Sequence, residues 1–151
     1  MKAIIAYLSR SGNTQEVAEI IAEVLRNNGY EVDEYRIGRN NPIPSFNEYD
    51  LILFGTYTIG KGQTPVKMKK FVAEIGYKPE RVYIFGTGDT QFGGDDLFCY
   101  AVDRLSKFYN SPFNVLKIEQ SPRGKQESKV IEWAEGVIDY DKTNESKSIG
   151  T

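Results

Sequence analysis

The chain contains no histidine and a single cysteine, Cys99, among its 151 residues. Without an imidazole it lacks the usual general base of a hydrolytic triad, and one thiol forms neither an internal disulfide nor a metal-binding cluster. No apolar run approaches the roughly 20 residues of a bilayer-spanning helix, and the first residues lack the charged region, apolar block and cleavage site of a secretory leader. Nineteen basic side chains against 21 acidic ones give a net charge of −2, which leaves no broad basic face for nucleic acid. Internal repeats and low-complexity segments are also missing. With 40% hydrophobic and 26% charged residues the chain is globular. The expectation is a cytoplasmic monomer that binds neither membrane nor nucleic acid, has no metal site, and relies on a cofactor for any chemistry.

What is present begins with the apolar run Ala3, Ile4, Ile5, Ala6, Tyr7, Leu8, followed by Ser9, Arg10, Ser11, Gly12, Asn13 and Thr14, then by apolar residues at helical spacing (Val17, Ile20, Ile21, Val24, Leu25). A buried strand therefore enters a helix through a loop of three hydroxyls, an amide, a cation and one glycine. The first N–H groups of a helix are unpaired and carry the positive end of its dipole, so the loop suits an anion, most naturally a phosphate. Alternatively, Ser11, Asn13 or Thr14 only caps the helix. The loop has neither the G-x-x-x-x-G-K-[ST] nor the G-x-G-x-x-G pattern, which implies a terminal phosphate held mostly by uncharged donors.

A more polar second strand is expected over residues 30–36, entered through Asn27, Asn28 and Gly29 and suited to a sheet edge. Pro42 and Pro44 leave room only for a short helical turn over 45–48. The run Leu51, Ile52, Leu53, Phe54 reads as a strand buried on both faces, and it opens into a long glycine-rich loop over 55–64. Pro65 then starts a helix with Val66, Met68, Phe71, Val72 and Ile75. A fourth strand, Val82, Tyr83, Ile84 and Phe85, leads to a third unusual loop over 86–95, and the next helix places Leu97, Ala101, Leu105 and Phe108 on one face. A fifth strand over 113–118 and a last helix with Val130, Ala134, Val137 and Ile138 complete a domain of residues 1–139. The polar, aperiodic residues 140–151 read as a flexible tail.

Alternating strands and helices imply a parallel sheet with right-handed crossovers, and ligands in such sheets sit at the carboxyl ends of the strands, beside the switch in strand order. The three unusual loops follow strands one, three and four. In a 2-1-3-4-5 sheet these strands are central neighbours, so the loops converge on one site, which favours the phosphate reading of the first loop.

Together these residues resemble the flavodoxin family over nearly the whole chain apart from the tail. The resemblance implies a three-layer α/β/α sandwich, a five-stranded parallel sheet of order 2-1-3-4-5, and FMN as cofactor. The phosphate loop would be Ser9, Arg10, Ser11, Gly12, Asn13 and Thr14. The first flavin loop would be Thr56, Tyr57, Thr58, Ile59 and Gly60; the second would include Thr87, Gly88, Asp89, Phe92, Gly93, Gly94, Asp95, Phe98 and Cys99. Phe92 and Tyr57 are the candidate walls for the flat ring, Phe92 the stronger because it stands beside glycines in an otherwise polar loop. Gly60 can change its backbone conformation at little steric cost, and the resemblance implies that its peptide turns toward or away from flavin N5 with the redox state of the ring. Asp89 either accepts from ribityl hydroxyls or caps the next turn. Cys99, without a neighbouring histidine, reads as a packing residue before a nucleophile. Trp133, on the last helix, also reads as packing.

Two features depart from the acidic electron carriers of the family. Where those usually place tryptophan before the flipping glycine and acidic residues after it, this chain has Ile59, Gly60, Lys61, Gly62 and Gln63, and its overall charge is nearly neutral. A cation beside the ring stabilises its anionic reduced form, so the second reduction is expected at a less negative potential than in the acidic members. The segments 56–65, 92–95 and 105–112 also resemble the NrdI branch, which implies activation of a manganese class Ib ribonucleotide reductase. The leading expectation is an electron shuttle between a reductase-type donor and a redox enzyme, with NrdI-type activation of a ribonucleotide reductase subunit second and a flavodoxin-like NAD(P)H:quinone reductase third.

Overall fold

A computed structural model describes residues 1–39, 41–60, 62–89 and 99–149, with side-chain surroundings as far as Asn144. Five parallel strands, β1 (Lys2–Tyr7), β2 (Glu31–Arg36), β3 (Leu51–Tyr57), β4 (Val82–Gly88) and β5 (Leu116–Glu119), form one sheet in the order β2-β1-β3-β4-β5. The helices are α1 (Asn13–Asn27), α2 (Val66–Ile75), α3 (Tyr100–Tyr109) and α4 (Lys125–Ile149), with a 3-10 turn at Phe46–Glu48.

Side chains of a strand alternate between the two faces of its sheet. Because both faces are covered, the central strands are mostly apolar. Ala3, Ile5 and Tyr7 share a core with α1 and α4, while Ile4, Ala6 and Leu8 pack into a second core with α2 and α3. Every fully buried Val, Ile or Leu in these layers stabilises the fold by roughly 1.5–3 kcal/mol. β2 lies at the edge and exposes Glu31, Asp33 and Glu34, which blunts that edge against pairing with other chains.

Chain direction makes the site. After β1 the chain moves to one side for β2 and then returns to the other side for β3, so the order reverses between β1 and β3, where a crevice opens at the carboxyl ends of the strands. Close approach behind this crevice depends on Gly86. A Cβ there would lie 2.4 Å from the Thr56 carbonyl oxygen and 2.3 Å from Val102 Cγ2, so only glycine lets α3 sit this close to the sheet.

Several boundaries differ from the sequence reading. β3 and β4 continue to Tyr57 and Gly88, because pairing between the two strands, and of Gly88 with Glu119 of β5, carries past the apolar runs. β5 covers Leu116–Glu119, starting later than residue 113. Val66 is 76% exposed and Phe108 is 45% exposed; Tyr109 takes the buried place expected of Phe108. The largest correction concerns the expected tail. α4 continues to Ile149, Tyr140 packs on Phe113 and Tyr83, and Asp141 is buried beneath β4. Its Oδ1 accepts from the Tyr83 hydroxyl at 2.7 Å and lies 3.6 Å from Arg81 Nη1. The apolar stripe of α4 thus ends in a polar residue that looks solvent-facing in sequence, yet it is paired across 58 positions. Among the described residues no helix is long and apolar enough to cross a membrane.

Candidate cofactor site

The crevice is walled by three loops that are far apart in sequence. Arg10, Ser11 and Asn13 come from the β1–α1 loop, Tyr57, Thr58 and Gly60 from the end of β3, and Thr87, Gly88 and Asp89 from the end of β4; together with Gln120 they enclose about 150 Å³.

The first loop is built to leave donors free. Gly12 precedes α1 with φ +98°, a left-handed conformation that favours glycine, and no atom lies within 4 Å of where its Cβ would be. No side chain at Gly12 caps the helix. Instead Ser9 Oγ, 9% exposed, accepts from the Gln15 N–H at 3.3 Å. Capping is therefore done by Ser9, rather than by Ser11, Asn13 or Thr14. The N–H groups of Asn13 and Thr14 stand in the first turn, where the helix itself supplies no carbonyl. Arg36 fixes the loop from β2, with Nη1 donating to Gln15 Oε1 at 2.9 Å and Nη2 to the Ser9 carbonyl at 3.3 Å.

Thr14 is 1% exposed, and its hydroxyl lies 2.8 Å from that of Thr87, itself buried at the end of β4. This bond ties the first loop to the third. The second loop is a tight turn in which the Ile59 N–H donates to the Gln63 carbonyl at 2.8 Å and the Gln63 N–H donates back at 2.9 Å. Gly60, exposed and at φ +48°, stands at its tip. Thr58 is held from both sides: its N–H donates to the Thr87 carbonyl at 3.1 Å, and its Oγ1 accepts from the Ala101 N–H at 3.3 Å. Arg10 lays its guanidinium 5.3 Å from the centre of the half-exposed Tyr57 ring, a cation–π contact joining the first two loops.

Not every candidate faces the crevice. Thr56 is fully buried and donates to the Tyr57 carbonyl, so it shapes the strand end. Cys99 lies in the core under α3, where burial pushes its thiol up to about 12, with Sγ 3.9 Å from the Ile118 carbonyl. An inert thiol follows, as the packing reading anticipates. Trp133 packs near Phe85 and donates to the Asn114 carbonyl. Phe92, Gly93, Gly94, Asp95, Phe98 and Lys61 lie outside the described residues. Sequence reasoning missed Arg36 and Gln120. Gln120 donates to Asp89 Oδ2 at 3.3 Å and lines the crevice. The strand order does place the end of β5 beside that of β4, so Gln120 was open to inference; Arg36 resembles any edge-strand cation.

An anion cradle at one end and two loops bearing backbone polar groups at the other suit a phosphate-bearing cofactor. Residues 5–133 match the family model described as Flavodoxin. Probable flavodoxin 2 of Bacillus subtilis is 32% identical over 138 residues, covering 86% of this chain and 89% of that protein. Probable flavodoxin 1 of the same organism is 35% identical over 137 residues, covering 88% and 78%. The crystal structure of oxidised flavodoxin 1 from Bacillus cereus superposes with a TM-score of 0.81 at 25% identity, covering 92% of this chain and 98% of that one. The chain belongs to the flavodoxin family. FMN is the defining cofactor of that family, and electron transfer is its general function. The residues present fit such a group: Gly12 leaves the backbone open, Ser11 and Asn13 offer uncharged donors, and Arg10 adds one cation.

Proposed function

We propose that the protein shuttles electrons from a flavodoxin reductase-type donor to a redox enzyme, with FMN held in the crevice between the ends of β1, β3 and β4. The observation that carries this reading is the convergence of three loops on the point where strand order reverses. Bound there, FMN supplies reversible one-electron chemistry. Ser11, Asn13 and Thr14, the first-turn N–H groups and Arg10 bind the phosphate. Ser9 serves mainly by capping α1, which holds those donors in place. Asp89 and Gly88 orient the ribityl chain, while Tyr57 and Phe92 wall the ring. Gly60 lets its peptide turn without steric cost.

The NrdI alternative rests on loop likeness. Relatives that this chain matches over most of their length carry the flavodoxin name, which supports the carrier. Potentiometric titration of the FMN-loaded protein separates the two. Two one-electron steps, distinct but closer together than in the acidic members, are expected of the carrier, and fully overlapping steps with reactivity toward dioxygen would favour NrdI-type activation. Lys61→Glu should make the second reduction harder; an unchanged potential would mean that Lys61 points away from the ring. Failure to take up FMN would remove the reading altogether.

A further inference from the structure

Charge is distributed unevenly over the two helical layers. α2, α3 and the turn between α2 and β4 expose Lys67, Lys69, Lys70, Lys78, Arg104 and Lys107. The acids on the same elements are fewer: Glu74 pairs with Lys70 at 3.9 Å, Asp103 pairs with Lys117 at 2.7 Å, and Glu80 is exposed in the turn. In the opposite layer Glu16, Glu19, Glu23 and Glu127 surround a surface depression with Arg123 as its cation. A chain of net charge −2 therefore presents a basic side and an acidic side.

On the basic side lies a groove of about 210 Å³ lined by Thr64, Met68, Val72, Leu105 and Phe108, with Lys69 and Arg104 at its margin. Phe108 is 45% exposed, and Lys78 Nζ stands 4.1 Å from the centre of its ring. Val66 is 76% exposed at the start of α2. An apolar centre with a charged rim is the anatomy of a protein interface. The groove also adjoins the cofactor crevice, because Gly60 lines one and Thr64 the other, four residues apart and so no more than about 14 Å along the chain.

We propose that this groove docks a redox partner that presents carboxylates around an apolar side chain. The apolar side chain enters against Val72 and Phe108, and the carboxylates meet Lys69, Lys78 and Arg104. Charge complementarity selects an acidic partner and speeds its encounter, while the apolar contact sets its residence. The inference rests on the electron-carrier reading for its purpose but on the surface alone for its location.

The test is an NMR titration of the isotope-labelled, FMN-loaded full chain with an acidic plant-type ferredoxin as probe and basic cytochrome c as comparator. Ferredoxin should shift the amides of residues 66–72 and 104–108, with affinity falling about tenfold between roughly 20 mM and 0.3 M salt. Lys69→Glu combined with Arg104→Glu should weaken ferredoxin binding about tenfold and leave FMN uptake unchanged. Phe108→Ser should weaken it while keeping the salt dependence. Shifts confined to other surfaces, or a double charge reversal without effect, would overturn the proposal. FMN uptake, read from the visible spectrum, is independent of these results. Loss of uptake with docking intact sinks the carrier reading alone, and uptake without docking sinks the groove alone.

Discussion

The hydroxyl pair Thr14–Thr87 gives the sharpest test of how the crevice is assembled. The two oxygens are 2.8 Å apart and their residues are 1% and 3% exposed, so in the cofactor-free protein each hydroxyl relies on the other for its hydrogen bond. Thr14→Val or Thr87→Val orphans the remaining hydroxyl, at a cost of about 1–3 kcal/mol in the cofactor-free protein. Removing both leaves no orphan. The double variant should therefore be more stable than the sum of the single losses predicts, by at least about 1 kcal/mol. Cofactor affinity should behave differently. Each hydroxyl has one proton; if Thr87 donates to Thr14, the Thr14 proton is free for an anion at the start of α1. Thr14→Val should then weaken FMN binding by about 1.5–3 kcal/mol, the range for a hydrogen bond to a charged group, whereas Thr87→Val acts through its neighbour and should cost less. Urea unfolding of the four cofactor-free proteins and fluorescence titrations with FMN supply both sets of numbers. Additive stability losses would refute the buried pair, and equal FMN losses for the two single variants would refute the proton order.

Gly86→Ala places a methyl 2.4 Å from the Thr56 carbonyl oxygen, so the unfolding midpoint should fall by the equivalent of about 1–3 kcal/mol; an unshifted midpoint would mean that α3 moves away freely. Tyr83→Phe strips the buried Asp141 carboxylate of its hydroxyl donor and should cost about 1.5–3 kcal/mol, measured in the same way, and no loss would show that Arg81 alone satisfies it. Alkaline stability should be dominated by groups that hold their protons more tightly when folded. Burial raises Cys99 from 9.0 to about 12 and Tyr109 from 10.0 to about 12. The folded state then binds more protons than the unfolded chain, so the contribution is complete below pH 9 for Cys99 and declines by about 1.4 kcal/mol per pH unit toward 12. Cys99→Ala should flatten the fall between pH 9 and 10, and an unchanged slope there would place the thiol outside the core.

Legibility followed the range of the interactions. β1, α1 and the strand order were readable because apolar runs and helical periodicity are local and the crossover rule restricts topology. Convergence of the three loops came from that order alone. Interactions spanning the chain left no local trace. Asp141 looks like a surface acid until Tyr83 is set above it, and Ser9 looks like an anion ligand until Gln15 N–H turns toward it. Phe108 was misplaced because two aromatic neighbours compete for one buried position, and the phase of α3 gave it to Tyr109.

The latch between Tyr83 and Asp141 also bears on how the polypeptide is made. In chain order β4 is complete well before α4 emerges. Until then Tyr83 and Arg81 lack their acidic partner, and the layer formed by α1 stands half covered. That face of the sheet therefore closes only once α4 has joined it, which makes the arrival of α4 the step that commits the two layers to a finished structure.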